Sequence, residues 1–330
     1  NLGNTLKALE ELDEAIRSYY KALSIKPEFA EAYYNLGISL QEFGRLDEAV
    51  PYLQKVTTFK PDDAVVHYNI GNLLRELTRI DEAVYYFYKA IAIKPNFTQA
   101  HNNLGAVLKD LGQLDEAVAS YHKALAIKPD YAEAYSNLAN ALQGLRKLDE
   151  AIAYYHKALT INPDFSEAHS NLGLALHDIG AFDEALSSFR KALAINYDIA
   201  EVHYNLGTTL QTLGRLSEAV ESFRVSLSLN PNIAEAHTNL GLALRDLGKW
   251  DEASDSYKSA ISINPDFPMA YNNSGVVLHD RGELESAIAK YRKALLLKSD
   301  YAEAHFNLAL TLQTQGKVDE AVHRYRTALL

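Results

Sequence analysis

The chain has 330 residues, which is ten copies of 34 positions less ten residues, and its features recur every 34 residues without an insertion or deletion. That arithmetic displaces the two globular domains otherwise expected at this length. Asp plus Glu exceed Lys plus Arg by 43 to 32, and the resulting charge of −11 makes nucleic acid and anionic membrane surfaces poor partners. The chain has no cysteine, so disulfide frameworks, thiolate-bound zinc and thiol nucleophiles are excluded. No apolar run approaches the roughly 18–20 residues of a membrane span, and no signal-peptide pattern opens the chain. The expectation is therefore no membrane partner and a cytoplasmic setting, nucleocytoplasmic in a eukaryote. The chain starts at Asn1 inside a repeat, without a methionine, and reads as a segment of something longer.

A partial copy covers residues 1–29, entering at the sixth place of the repeat. Full copies follow at 30–63, 64–97, 98–131, 132–165, 166–199, 200–233, 234–267 and 268–301, and a second partial copy at 302–330, giving one solenoid over 1–330. Place eleven is leucine in every copy, from Leu6 to Leu312, and place twenty is alanine, from Ala15 to Ala321. Place eight is glycine except at Ala139 and Ala309, and place twenty-four is aromatic except at Leu53.

Each copy is punctuated into two helices. Asp130 and Glu133 stand three apart before an apolar-periodic run, a capping-box-like start with the aspartate as N-cap. Ala134, Leu138, Leu142 and Leu145 keep one face apolar. Glycine ends the first helix in most copies (Gly44, Gly112 and Gly180 among them), supplying a left-handed C′ residue. Acidic residues such as Asp115 and Glu116 then open the second helix at the positive end of its dipole. Proline ends it at 61, 95, 129, 163, 231 and 265. A lone hairpin of two helices, each about 21 Å long, cannot bury its apolar face. Stacked neighbours can, with stability a sum of nearest-neighbour terms. The small residues at places eight and twenty permit close approach, and the aromatic at place twenty-four fills the space beside them. Departures mark candidate points of variation in chain order: Pro51 inside a second helix, Thr78 and Arg146 in place of the C′ glycine, and Tyr197 and Ser299 in place of the terminal proline. Phe267-Pro268-Met269 is an unusual junction, and Arg281 and Gln315 make place fourteen polar.

These features resemble the tetratricopeptide repeat, and they cover the whole chain. The resemblance implies an all-α fold, a right-handed superhelical solenoid of antiparallel helix pairs that binds proteins. The finer pattern Ala-Glu-Ala-His/Tyr-x-Asn-Leu-Gly-x-x-Leu is similar to the repeat region of O-GlcNAc transferases. By that likeness the segment selects substrates for a glycosyltransferase domain beyond Leu330. The rival reading is a non-enzymatic adaptor that assembles protein complexes.

At 100° per residue, places two, six, nine and thirteen of the first helix share a face away from the apolar places three, seven, eleven and fourteen. By resemblance this stripe lines the inner concave surface. Place six is asparagine in every copy: Asn1, Asn35, Asn69, Asn103, Asn137, Asn171, Asn205, Asn239, Asn273 and Asn307. A carboxamide offers a donor and an acceptor, matching one peptide unit, so a ladder of them can hold an extended peptide or partner protein. The alternative is hydrogen bonding within the solenoid. Place two is glutamate at Glu31, Glu133, Glu167, Glu201, Glu235 and Glu303, either an acidic rung reading side chains or half of a capping box. Val65, Gln99 and Met269 interrupt that row. Places twelve and thirteen pair charges, as in Arg75-Glu76, Lys109-Asp110 and Arg245-Asp246. Being consecutive, they are expected not to face each other and to form a solvated rim.

Chaperone adaptors of this repeat class grip a C-terminal carboxylate with basic residues at places two, five and six. No copy here has one there. Six histidines (His67, His101, His169, His203, His237, His305) occupy place four, alternating with Tyr33, Tyr135 and Tyr271, which marks a packing position and not a metal site. No catalytic constellation, cofactor loop or metal cluster rises above the repeat. The last copy ends at Leu329-Leu330 without a polar capping helix, so the segment is expected to self-associate end to end or fray.

Overall fold

The computed structural model describes Gly3, Thr5, Leu6 and residues 11–329; Asn1 and Leu330 lie outside the described residues. These residues form helices and no strand. The chain divides into two compact units, Asn1–Pro163 and Asp164–Leu330. In the first unit, first helices span Ala30–Glu42, Ala64–Glu76, Thr98–Asp110 and Ala132–Gly144. Second helices there span Leu12–Ile25, Leu46–Phe59, Ile80–Ile93, Leu114–Ile127 and Leu148–Ile161. In the second unit, first helices span Ser166–Asp178, Ala200–Thr212, Ala234–Asp246, Pro268–Asp280 and Ala302–Thr314. Their partners are Phe182–Ile195, Leu216–Leu229, Trp250–Ile263, Leu284–Leu297 and Val318–Ala328. Within each unit a first helix packs on its own second helix, and that helix on the next first helix. The architecture of each is a stack of helical hairpins.

The small residues set the spacing inside a hairpin. Ala185, Ala219, Ala253 and Ala287, all at place twenty, are 0% exposed. At place eight the backbone lies against the face of the place-twenty-four ring: a Cβ on Gly207 would sit 2.7 Å from Phe223 Cε1. Glycine is therefore required for the ring to lie flat at this distance. Where alanine replaces it, at Ala139 and Ala309, the side chains remain fully buried. Burial pushes the Tyr121, Tyr257 and Tyr291 phenols above their ordinary range, so these rings stay neutral in the fold.

The helix starts differ from the expected capping box. The N-cap of Ala132–Gly144 is Tyr131, not Asp130, and no side chain caps it. Most first helices are likewise entered through an aromatic or isoleucine residue whose ring or side chain packs in the turn. Lys128 lies over the Tyr131 ring at 5.0 Å, and Lys94 over Phe97 at 4.8 Å. Asp63 is the exception, accepting hydrogen bonds from the Val65 and Val66 amides at 3.1 and 3.3 Å. Apolar anchoring of the turn has displaced polar capping from this place.

At the other end, Gly44 has φ +82°, and Thr78 and Arg146 adopt the same left-handed turn at φ 57° and 60°. Thr78 is β-branched and carries a Cβ where glycine has none, a strain of about 1–2 kcal/mol. Thr78→Gly removes it while giving back part through a freer unfolded chain. The net expected result is a gain of about 0.5–1 kcal/mol, read from urea denaturation; a loss of stability contradicts the strain.

Pro51 sits inside Leu46–Phe59 without ending it. Its side chain is exposed, so the helix loses one backbone bond on the solvent side. Pro268 is the first residue of its helix, a place where its missing N–H costs nothing.

Candidate functional site

The stripe of places two, six, nine and thirteen is built on the first helices. Its glutamates reach solvent: Glu31, Glu133, Glu167, Glu201, Glu235 and Glu303 are all exposed. Glu133, Glu167, Glu201 and Glu235 make no hydrogen bond or ion pair among the described residues, so the reciprocal capping bond does not form. Glu303 accepts from Asn272 Nδ2 at 3.1 Å. The place-six asparagines lie deeper. Asn35, Asn69, Asn103, Asn137, Asn171, Asn205, Asn239 and Asn307 are half-buried, and Asn273 is buried.

Most of this row is cross-linked between neighbouring repeats. Asn69 Nδ2 donates to Tyr34 Oη at 2.7 Å, and Asn103 Nδ2 to Tyr68 Oη at 3.0 Å and Asn72 Oδ1 at 2.8 Å. Asn137 donates to Asn102 Oδ1 at 3.2 Å, Asn239 to Tyr204 Oη at 3.2 Å, and Asn307 to Asn272 Oδ1 at 3.0 Å. In every one of these bonds but that to Asn72, the acceptor stands at place five of the preceding copy. Burial raises the Tyr34 and Tyr204 phenols above their ordinary range, so both remain neutral partners for an amide. Sequence reasoning had bonding within the solenoid as an alternative for the asparagines, but it did not find place five as the partner. The signal was present as Tyr or Asn at place five in most copies.

In the first unit the stripe encloses a cleft of about 540 Å³ lined by Ile38, Gln41, Asn69, Asn72, Arg75, Glu76 and Asn103. Gln41 Nε2 donates to Glu76 Oε1 at 3.0 Å, bridging two repeats at its rim. The lining is dominated by uncharged carboxamides. It has donors and acceptors suited to amide groups, and no titratable pair poised for proton transfer.

The charged rim departs from expectation at one point. Arg245 Nη2 donates to Asp246 Oδ1 at 2.8 Å, although the two are consecutive. The long guanidinium stem folds back to the last helical residue, which short side chains cannot do. His177 and His279, at place twelve, hydrogen-bond at Nδ1 to the Thr209 and Thr311 hydroxyls of the next repeat, both at 2.9 Å. The arginine and glutamine at place fourteen also make contacts: Arg281 Nη1 donates to Asp251 Oδ1 at 2.9 Å, and Gln315 Nε2 to Glu285 Oε1 at 3.0 Å.

The place-four histidines sit away from this stripe and hold the turns. His67, His101 and His203 donate from Nε2 to the Pro61, Pro95 and Tyr197 carbonyls, each at 2.9 Å, and His305 to the Ser299 carbonyl at 2.9 Å. A backbone carbonyl serves, so Tyr197 and Ser299 replace the terminal proline without loss of the bond. Burial holds the His203 imidazole below the ordinary histidine range, against the opposing pull of the Tyr197 carbonyl and Asp198. Among the described residues, no three His, Asp or Glu side chains converge as metal ligands, and no helix is long and apolar enough to cross a membrane.

The repeat geometry agrees with the family comparisons. Models described as TPR repeat match residues 3–44, 107–145, 241–280 and 275–316. Others described as tetratricopeptide repeat match 132–165, 28–96 with 164–230, and 86–119. The chain belongs to the tetratricopeptide repeat family. Among solved tetratricopeptide repeat structures, YrrB, described as "a TPR protein with an unusual peptide-binding site", is 28% identical. The match covers 56% of this chain and 95% of that one, with a TM-score of 0.50. PilF of Pseudomonas aeruginosa is 20% identical over 67% of this chain and 97% of its own, with a TM-score of 0.58, a likeness of fold. No curated protein matches the chain. The tetratricopeptide repeat framework is a protein-interaction fold, and its amide-rich stripe is here partly engaged in bonds between repeats.

Proposed function

We propose that the chain is a scaffold that takes extended peptide segments along the first-helix stripe, with the place-six asparagines as its main contact row. The observation that carries this is the recurrence of half-buried carboxamides at one-repeat spacing on a face that the core does not use. Basic anchors for a C-terminal carboxylate are missing from places two, five and six, which disfavours capture of a peptide by its C-terminus. The similarity to YrrB, itself described as having a peptide-binding site, supports the same reading. Selection of a random-sequence peptide display library on the wild-type chain tests it; repeated failure to enrich any peptide would count against it.

The dialect Ala-Glu-Ala-His/Tyr-x-Asn-Leu-Gly extends the proposal to the substrate-selecting region of an O-GlcNAc transferase-like protein. The alternative is an adaptor without enzymatic activity. A nucleotide-sugar-binding domain elsewhere in the full-length protein supports the first reading, and its absence supports the second.

Self-association belongs to the same proposal. Phe306, Leu310, Val318 and Val322 of the last hairpin are 51%, 40%, 57% and 43% exposed. Apolar side chains grouped on one hairpin favour association of copies. Sedimentation over a wide concentration range is expected to show a species larger than one chain, reduced by Val322→Glu; a monomer at all concentrations contradicts it.

A further inference from the structure

The place-six asparagines are not equivalent: five of them pass their NH2 group to the residue at place five one repeat earlier. Where that residue is tyrosine or asparagine, its polar atom reaches the carboxamide and takes up the NH2 group, as at Asn69, Asn103, Asn137, Asn239 and Asn307. Ser170 stands at this place before Asn205. A serine hydroxyl lies one bond beyond Cβ and cannot span the gap that a phenol or carboxamide spans. The Asn205 side chain accordingly makes no hydrogen bond among the described residues, although its backbone carbonyl accepts one from Thr209 at 2.8 Å. It is half-buried, open to the stripe, and flanked in register by Glu201 and Thr208. Thr238 produces a related case before Asn273: its hydroxyl donates back to the Ala234 carbonyl at 2.9 Å. Asn273 is nevertheless buried, and its oxygen already accepts from Asn272 at 3.3 Å.

We infer that Asn205 is the anchoring rung of the second unit, gripping one peptide unit of an extended segment through both ends of its carboxamide, while Asn239 and Asn307 offer only their oxygens. An oxygen alone meets a peptide N–H; a complete carboxamide meets N–H and C=O together, fixing the direction and register of the bound backbone. In the second unit Asn205 is thus a two-ended clamp beside the acceptor-only Asn239 and Asn307. This rests on the peptide-binding reading, and specifies where in the row affinity is concentrated and which residue at place five sets it.

The test uses a labelled peptide selected on the wild-type chain from a random-sequence display library, with binding followed by fluorescence anisotropy. Asn205→Ala removes two hydrogen bonds at once and is expected to weaken binding about tenfold, against about threefold or less for Asn239→Ala. Ser170→Asn leaves Asn205 in place but supplies the partner that Asn102 and Asn272 supply elsewhere, and is expected to weaken binding about as much as Asn205→Ala. Tyr204→Ser frees the Asn239 amide and is expected to tighten binding severalfold, an outcome that simple structural damage does not produce. Circular dichroism confirms that each variant folds. If no peptide is enriched, the underlying reading fails. If a peptide binds but Asn205→Ala costs no more than Asn239→Ala, or Ser170→Asn leaves affinity unchanged, the anchoring role is overturned.

Discussion

Phe223→Ala is expected to destabilise the second unit by about 3–5 kcal/mol, the largest effect of any single substitution proposed for this chain. The ring is 0% exposed and lies flat against the backbone at Gly207, so its removal leaves a void lined by two helices that cannot close on it. The complementary change, Gly207→Val, places branched carbons where a first Cβ already sits 2.7 Å from the ring. It is expected to cost about 1–3 kcal/mol or more by overpacking. Gly207→Ala is expected to be milder, because the chain itself carries alanine at Ala139 and Ala309 in the same place. Urea denaturation of the three variants orders them. If Phe223→Ala is the mildest, or Gly207→Ala costs as much as Gly207→Val, the ring-on-glycine contact does not control the spacing of this hairpin.

The second large effect is on binding. Replacing Asn205, Asn239, Asn273 and Asn307 together with alanine is expected to weaken binding of a selected peptide about a hundredfold. That corresponds to roughly 3 kcal/mol, the loss of several hydrogen bonds of about 0.5–1.5 kcal/mol each. Helical content is expected to persist, since none of the four contributes to the apolar contacts between helices. Stability is expected to fall slightly, because Asn239 and Asn307 also bond the preceding repeat at 3.2 and 3.0 Å. The measurement is peptide affinity beside circular dichroism on the same preparations. Unchanged affinity with intact helicity would sink the ladder as a contact row. A collapse of helicity would assign the asparagines a structural role instead.

The proposed contact role and the observed bonds between repeats are compatible for a physical reason. An asparagine carries separate donor and acceptor ends, so one can tie adjacent repeats together while the other remains available. The sequence offers binding and internal bonding as two readings of this row. The structure shows the internal bonds residue by residue, most of them made to the side chain at place five of the preceding copy. The glutamates at place two behave similarly. Their helix-start position was legible, but the expected capping bond required an aspartate N-cap at places such as Asp130. The chain enters those helices through Tyr131 and its equivalents instead, leaving the carboxylates in solvent.

The sequence by itself determined the hairpin unit, the two helices in each copy, and the face that leaves the core. These follow from short-range rules: the 3.6-residue period, glycine where φ is positive, proline where a helix ends, and small residues at fixed intervals. The invariant alanines and the aromatic at place twenty-four already implied which surfaces pack. Only the tertiary structure decided how side chains from different copies meet. Asn69 and Tyr34 are 35 positions apart, as are Asn239 and Tyr204, and His177 meets Thr209 across 32. Such pairs depend on the offset of one hairpin against the next, a property of packed volumes that no period in the sequence encodes. The same dependence distinguishes Asn205 from Asn239: both are asparagines at place six, and the difference is a serine or a tyrosine one repeat away.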